Sequence, residues 1–171
     1  ALCEVEENEK GFERNNIKKI KPTINCLVDP HEKTIIPKDY IQNSDERLKT
    51  YGLIEEKSKD GLFKEIEENL KDRFGSIPNE VNNLLKCMRV KWLGAKCGID
   101  KITIKEDVLR FVFFKSKSED IKTRTFKNIV DVFENMKNKY SVVDRNNQII
   151  IKLCGDLNLE KTLKILKKTS N

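Results

Sequence analysis

The sequence predicts an α+β domain: an N-terminal arm and strand, three helices, and then a ββαββα unit with a mainly antiparallel four-stranded sheet. Three observations predict it. Apolar residues keep helical spacing from Leu48 to Leu93, and at Ile99 the period changes to two. The second half then holds two strand–turn–strand patterns, each followed by a helical one. Both helical stripes of that half need a partner face, which a sheet with helices on one side supplies.

Each element has its own local justification. Residues 1–21 hold few apolar side chains and end at Pro22, so they are expected to be a linker or the tail of a preceding segment, with the folded domain over 22–171. Residues 23–29, TINCLVD, alternate as a strand does, and Asp29-Pro30 turns the chain. Residues 35–41, IIPKDYI, are expected to be extended, because Pro37 removes a donor and biases Ile36 away from the helical region. Asn43 to Glu46 forms an N-x-x-E capping pattern for a helix reaching about Lys59, with Leu48, Tyr51 and Ile54 as its apolar face. Asp60 is expected to cap the next helix, whose stripe is Leu62, Phe63, Ile66, Leu70 and Phe74, with Gly75 as a left-handed stop. Pro78 opens the third, carrying Val81, Leu84, Leu85, Met88, Trp92 and Leu93, and Cys97-Gly98 closes it with Ile99 placed for the hydrophobic contact after a glycine cap. Strands are then expected over 99–104 and 108–114, a helix over 118–139, strands over 140–144 and 148–153, and a closing helix over 156–168.

The chain has 171 residues with 34 Lys+Arg against 28 Asp+Glu, a net charge of +6. The charge is unevenly spread: residues 1–85 carry 14 basic and 18 acidic side chains, whereas residues 86–171 carry 20 and 10. A basic half raises nucleic acid or an acidic protein as partners. Five cysteines without a C-x-x-C pair, no signal-peptide pattern and no apolar run long enough to span a bilayer predict a cytoplasmic protein with free thiols and no membrane partner.

Enzyme chemistry finds little footing. The seven glycines build neither a G-x-x-x-x-G-K-[ST] loop nor a G-x-G-x-x-G turn, so no phosphate-binding fingerprint is present. His31 is the single histidine; Asp29, His31 and Glu32 crowd one turn, where side chains seldom converge on a metal, and no cofactor is expected. Leu109, Phe111 and Phe113 share a strand face and are expected in the core, not stacking on bases. Lys161, Lys164, Lys167 and Lys168 line a closing helix whose dipole favours cations at that end. The most informative oddity is Lys71-Asp72-Arg73-Phe74-Gly75. Arg73 suits the last turn of a helix, whereas Asp72 there costs about 0.3–1 kcal/mol, so the pair is a candidate for contact with something outside the helix.

The order of IIPKDYI (35–41), DERLKTY (45–51), LKDRFGSIPNEVNNLL (70–85) and LGAKCGIDKI (93–102) resembles the C-terminal (TRCF) domain of the bacterial transcription-repair coupling factors, the Mfd family. The resemblance implies a regulatory, non-catalytic domain of a much larger ATP-driven DNA translocase. Such a domain packs on a UvrB-like N-terminal module of the same chain, masks its UvrA-binding surface until RNA polymerase is engaged, and restrains the motor. ATP, magnesium and DNA would belong to that motor and not to this chain, and residues 1–21 would be the exit from it. In the family the contact uses an E-L-x-D-R-F-G helix end. Asp72 and Arg73 match it, Asn69 stands at its leading acid, and Glu68 lies one place earlier, about 100° round the helix. The alternative is a nucleic-acid-binding domain that uses the basic half.

Overall fold

The computed structural model describes residues 25–114, 119–136 and 139–170, of which 119–122 by backbone course alone. The arm expected over 1–21, Thr23 and Ile24 of the first strand, and Ser118, Lys137 and Asn138 of the fourth helix lie outside the described residues. Among the described residues ten elements follow one another: β1 (Leu27–Asp29), α1 (Ser44–Lys59), α2 (Phe63–Phe74), α3 (Asn79–Lys96), β2 (Lys101–Ile104), β3 (Val108–Phe114), α4 (Glu119–Asn135), β4 (Tyr140–Arg145), β5 (Gln148–Cys154) and α5 (Leu159–Thr169).

The four antiparallel strands expected of the second half are present, and β1 adds a fifth. The order is β1-β2-β3-β5-β4. β1 runs parallel to β2, with Leu27 opposite Lys101. The remaining pairs are antiparallel. The β4–β5 hairpin closes on Asn146 and Asn147 at φ 52° and 59°, the two positive values that a type I′ turn requires and that asparagine tolerates better than most residues.

Two apolar cores share α3. One lies between the sheet and the helices: Ile102, Ile104, Leu109, Phe111, Phe113, Ile151 and Leu153 meet Val90, Leu93, Ile129, Phe133, Leu163 and Leu166. The other fills the three-helix lobe with Ile36, Ile41, Ile54, Phe63, Ile66, Leu70, Val81 and Leu85. Trp92 packs against both. Gly94 lets α3 approach the sheet, since a Cβ there would stand 2.7 Å from Ile102 Cδ1 and 2.9 Å from Cys26 Sγ.

Several local expectations are corrected by this packing. The buried stripe of α1 is Thr50, Ile54 and Ser58, while Leu48 is 69% exposed. Of the expected face, Ile54 and Tyr51 do pack into the helical lobe; Leu48, two positions before Thr50 and about 200° round the helix from it, points away from that contact. Asp60 ends α1 as its C-cap instead of starting α2; α2 begins after Leu62 without a side-chain cap. After Pro37 the chain does not stay extended: Tyr40 N and Ile41 N both donate to Pro37 O at 3.2 Å, turning it into α1. Gly75 does have a positive φ of 81°, but its ψ of −150° extends the chain where a left-handed cap would coil it. The end of α3 follows the expected glycine cap, with Ile99 N donating to Gly94 O at 2.9 Å and Ile99 itself 2% exposed.

The buried thiols follow from the same packing. Burial, assisted by the nearby Asp100 carboxylate, pushes Cys26 up to about 12 from an ordinary 9.0, and burial pushes Cys87 up to about 11. A raised thiol pKa means that the folded state holds its proton more tightly than the unfolded one. That stability is therefore fully present below pH 9 and is lost as pH climbs towards 11–12. Urea midpoints are expected to be flat from neutral pH to about 9 and to fall beyond it, and Cys26→Ala should flatten the alkaline limb. In the native state at mildly alkaline pH, iodoacetamide should label the exposed Cys154 well before Cys26, Cys87 or Cys97.

Candidate functional site

The C-terminal end of α2 is held from three directions. Tyr40, placed by the turn after Pro37, donates its hydroxyl to Leu70 O in the last turns of α2 at 3.1 Å and to Gly75 O just past its end at 3.5 Å. Its ring meets Phe74 edge-on at 5.8 Å. Arg47 ties down the approach to α1 by donating to Ile41 O at 2.7 Å and Gln42 O at 2.8 Å. On this platform Arg73 lies 4.8 Å over the Phe74 ring and donates to Glu46 of α1 at 2.8 Å. The Lys57–Glu65 pair, 3.1 Å apart, closes the other end of the same hairpin.

The four residues singled out by the sequence all sit on α2, but they form two i,i+4 pairs on different faces. Glu68 and Asp72 point outwards. Both are exposed; Glu68 stands 3.9 Å from Lys64, and Asp72 has no ion-pair or side-chain hydrogen-bond partner among the described residues. Asn69 and Arg73 lie on the flank facing α1. Asn69 is half-buried, with Oδ1 inaccessible to solvent and without a hydrogen-bond partner, and Arg73 retains 44% of its side-chain exposure. Glu68 therefore cannot occupy the position that Asn69 holds; the turn of the helix sets them on separate faces. Asp72 and Arg73 are adjacent at the rim, one an unpaired anion and the other a cation already engaged.

Glu46 is the residue that sequence reasoning missed. Read as the fourth member of an N-x-x-E cap, it would fold back on Asn43. In the structure Asn43 Oδ1 accepts from Asp45 N at 2.9 Å and Glu46 N at 3.0 Å, so the cap exists, while the Glu46 carboxylate goes to Arg73. The signal lay in the pairing of an acid early in α1 with a base late in α2, which becomes readable only once the helices are known to be antiparallel neighbours.

Other candidates disperse. Asp29 pairs with Lys105 at 3.3 Å, His31 with Glu106 at 2.9 Å, and Glu32 accepts from Leu159 N at 2.8 Å at the start of α5, so the three do not face one another. Among the described residues no group of three or more His, Cys, Asp or Glu could hold a metal ion. Leu109, Phe111 and Phe113 are buried in the sheet core, where they cannot stack on bases. Of the α5 lysines, Lys161 pairs with Asp156 and Lys164 with Glu160. No helix among the described residues is long and apolar enough to cross a membrane.

The fold defines an α+β domain in which a helical lobe with a charged rim shares its last helix with a helix-covered sheet. A family model described as the TRCF domain matches residues 31–124, more than half of the chain, and the chain belongs to that family. It is similar to the transcription-repair-coupling factor of Rickettsia bellii (strain RML369-C), 30% identical over 95 residues that cover 56% of this chain and 8% of that protein. The protein of that name from Rickettsia prowazekii (strain Madrid E) is 27% identical over 124 residues, 72% of this chain and 10% of the relative. That from Staphylococcus epidermidis (strain ATCC 12228 / FDA PCI 1200) is 24% identical over 110 residues, 64% of this chain and 9% of the relative. The chain thus spans a tenth or less of the length of these curated relatives. A crystal structure of the C-terminal domain of a transcription-repair coupling factor shares the fold, with a TM-score of 0.68 at 18% identity, covering 85% of this chain and 91% of that one.

Proposed function

We propose that this chain is the non-catalytic, autoinhibitory C-terminal domain of a transcription-repair coupling factor acting in the cytoplasm. It packs on the UvrB-like module of the same protein, masks the surface that binds UvrA, and restrains a DNA translocase until RNA polymerase is engaged. ATP and magnesium serve that motor, outside these residues. The observation that carries this reading is the rim of α2, where Asp72 stands exposed and, among the described residues, without an ion-pair or side-chain hydrogen-bond partner, beside an Arg73 already aligned by Glu46 and Phe74.

A mask has to open, and a polar rim suits that need. Ionic contacts over a modest interface can be competed away, whereas a large apolar seal could not. Asp72 supplies the free charge. Arg73 has its side chain pre-oriented by Glu46, so little rotamer entropy remains to be lost on binding. Glu68, one turn back on the same outer face as Asp72, is the third contributor. Asn69, with its acceptor turned into the hairpin, contributes least.

Replacing Asp72 and Arg73 together by alanine should weaken binding to the isolated UvrB-like module by at least about tenfold. The urea midpoint should scarcely move, because exposed ion pairs contribute only about 0–1 kcal/mol. Affinity equal to that of the unaltered chain, with folding intact, would sink the assignment. A gel shift of duplex DNA by the chain at low ionic strength, lost steeply as salt is raised, would instead favour the nucleic-acid-binding alternative.

A further inference from the structure

Among the described residues no helix covers the side of the sheet opposite the helical core. There the strand register lines up a central cross-strand row that includes Leu27, Val112, Ile150 and Val143. Leu27 is 64% exposed and the other three are half-buried, in contrast to Leu109, Phe111 and Leu153 on the covered side at 0%. Cations border this aliphatic row on both sides. Arg110 and Lys152, paired across β3 and β5, stand on one flank; Arg145 stands on the other, and Lys101 interrupts the row itself. None of these four is in an ion pair among the described residues. The one acid that the strands place on this side, Asp29, is already paired with Lys105 at 3.3 Å.

We infer that this face binds an acidic amphipathic helix of a protein partner, laid across the strands. Neighbouring strands are about 4.8 Å apart, and apolar residues on successive turns of a helix repeat every 5–6 Å or so. Three turns therefore set one stripe along Val112, Ile150 and Val143. Carboxylates beside that stripe fall over Arg110 and Lys152 on one flank and Arg145 on the other. Single-stranded nucleic acid is the poorer match, because it is held by rings on which bases stack, and among the described residues the exposed ring on this side is Phe114 alone, at 38% exposure. The row itself is aliphatic.

The test uses the whole chain and a synthetic helical peptide of about 18 residues, with leucines along one stripe and glutamates on both sides of it. Controls are the same composition scrambled, and an oligothymidine strand. The designed peptide should shift the backbone amide resonances of Val112, Ile150 and Val143. Arg110→Glu with Lys152→Glu, and separately Val112→Thr with Ile150→Thr, should each weaken binding by at least about tenfold. The Asp72→Ala, Arg73→Ala pair should bind the peptide normally, which separates this surface from the contact at the end of α2. Equal binding of the scrambled peptide, no effect of the apolar pair, or tighter binding of oligothymidine at the same amides would overturn the inference. Should a variant fail to fold, the amide map of the unaltered chain decides, and shifts confined to other surfaces would also overturn it.

Discussion

Phe111→Ala should cost about 3–5 kcal/mol of stability, the largest loss expected from any single side chain of the sheet. Phe111 is fully buried at the middle of β3, opposite Ile102 on β2 and Ile151 on β5. Its ring stacks on Phe133 of α4 at 6.1 Å and 16°. Removing it loses the burial of the ring and leaves a cavity that strands hydrogen-bonded on both sides cannot collapse to fill. For a domain of this size each kcal/mol lowers the melting temperature by about 2–4 °C, so the variant should melt about 6–20 °C lower. Trp92, the single tryptophan, lies where the two cores meet. Its fluorescence and far-ultraviolet circular dichroism should report one coincident urea transition, because α3 belongs to both cores. A loss under 1 kcal/mol or so would contradict the packing described.

Gly61→Ala should destabilise by about 2–5 kcal/mol, by two mechanisms that act together. Gly61 has φ 76°, which costs an L-residue about 1–2 kcal/mol. A Cβ would also stand 2.7 Å from Trp92 Cζ2 and 3.0 Å from Cε2. The indole has little room to retreat, since Phe63 meets its ring edge-on at 5.9 Å and Lys96 Nζ lies 3.7 Å from its centre. This strain falls on the connection between α1 and α2, so the alignment of Glu46 with Arg73 at the opposite end should loosen as well. Gly52→Ala is the matched control: a Cβ there meets nothing within 4 Å, and alanine is the better helix former. Urea melts of the two variants should move in opposite directions; movement in the same direction would count against the account of Gly61.

Much of the fold was legible because its causes are local. The Asn43 cap, the glycine cap before Ile99 and the turn between the strands expected over 140–144 and 148–153 are written in a few adjacent residues and appear where expected. Other features were misjudged where a neighbour in space outweighed the local pattern. Leu48 fits a helical stripe on paper, yet the buried face of α1 is Thr50, Ile54 and Ser58. Asp60 is a good N-cap by type, but the backbone turns at Gly61 and gives it to the end of α1. Residues 23–29 read as a strand, and nothing in them says that the last three pair in parallel with a strand more than seventy positions away. At the candidate site, Asp72 and Arg73 stood out because an acid late in a helix is unfavourable, a local signal. Glu46 did not, because its role depends on a pairing of 27 residues' separation.

Sequence by itself determined the element types, most of their ends and the family, since periodicity, capping and ordered motifs act over a few residues at a time. Tertiary structure alone decided that β1 joins the sheet, that Asn69 turns inwards while Asp72 and Glu68 face out, that Glu46 holds Arg73, and that cations line an aliphatic row on the side of the sheet that no described helix covers. Burial and pairing are properties of positions in space, and two side chains far apart along the chain carry no mark of each other until packing brings them within hydrogen-bond or van der Waals reach.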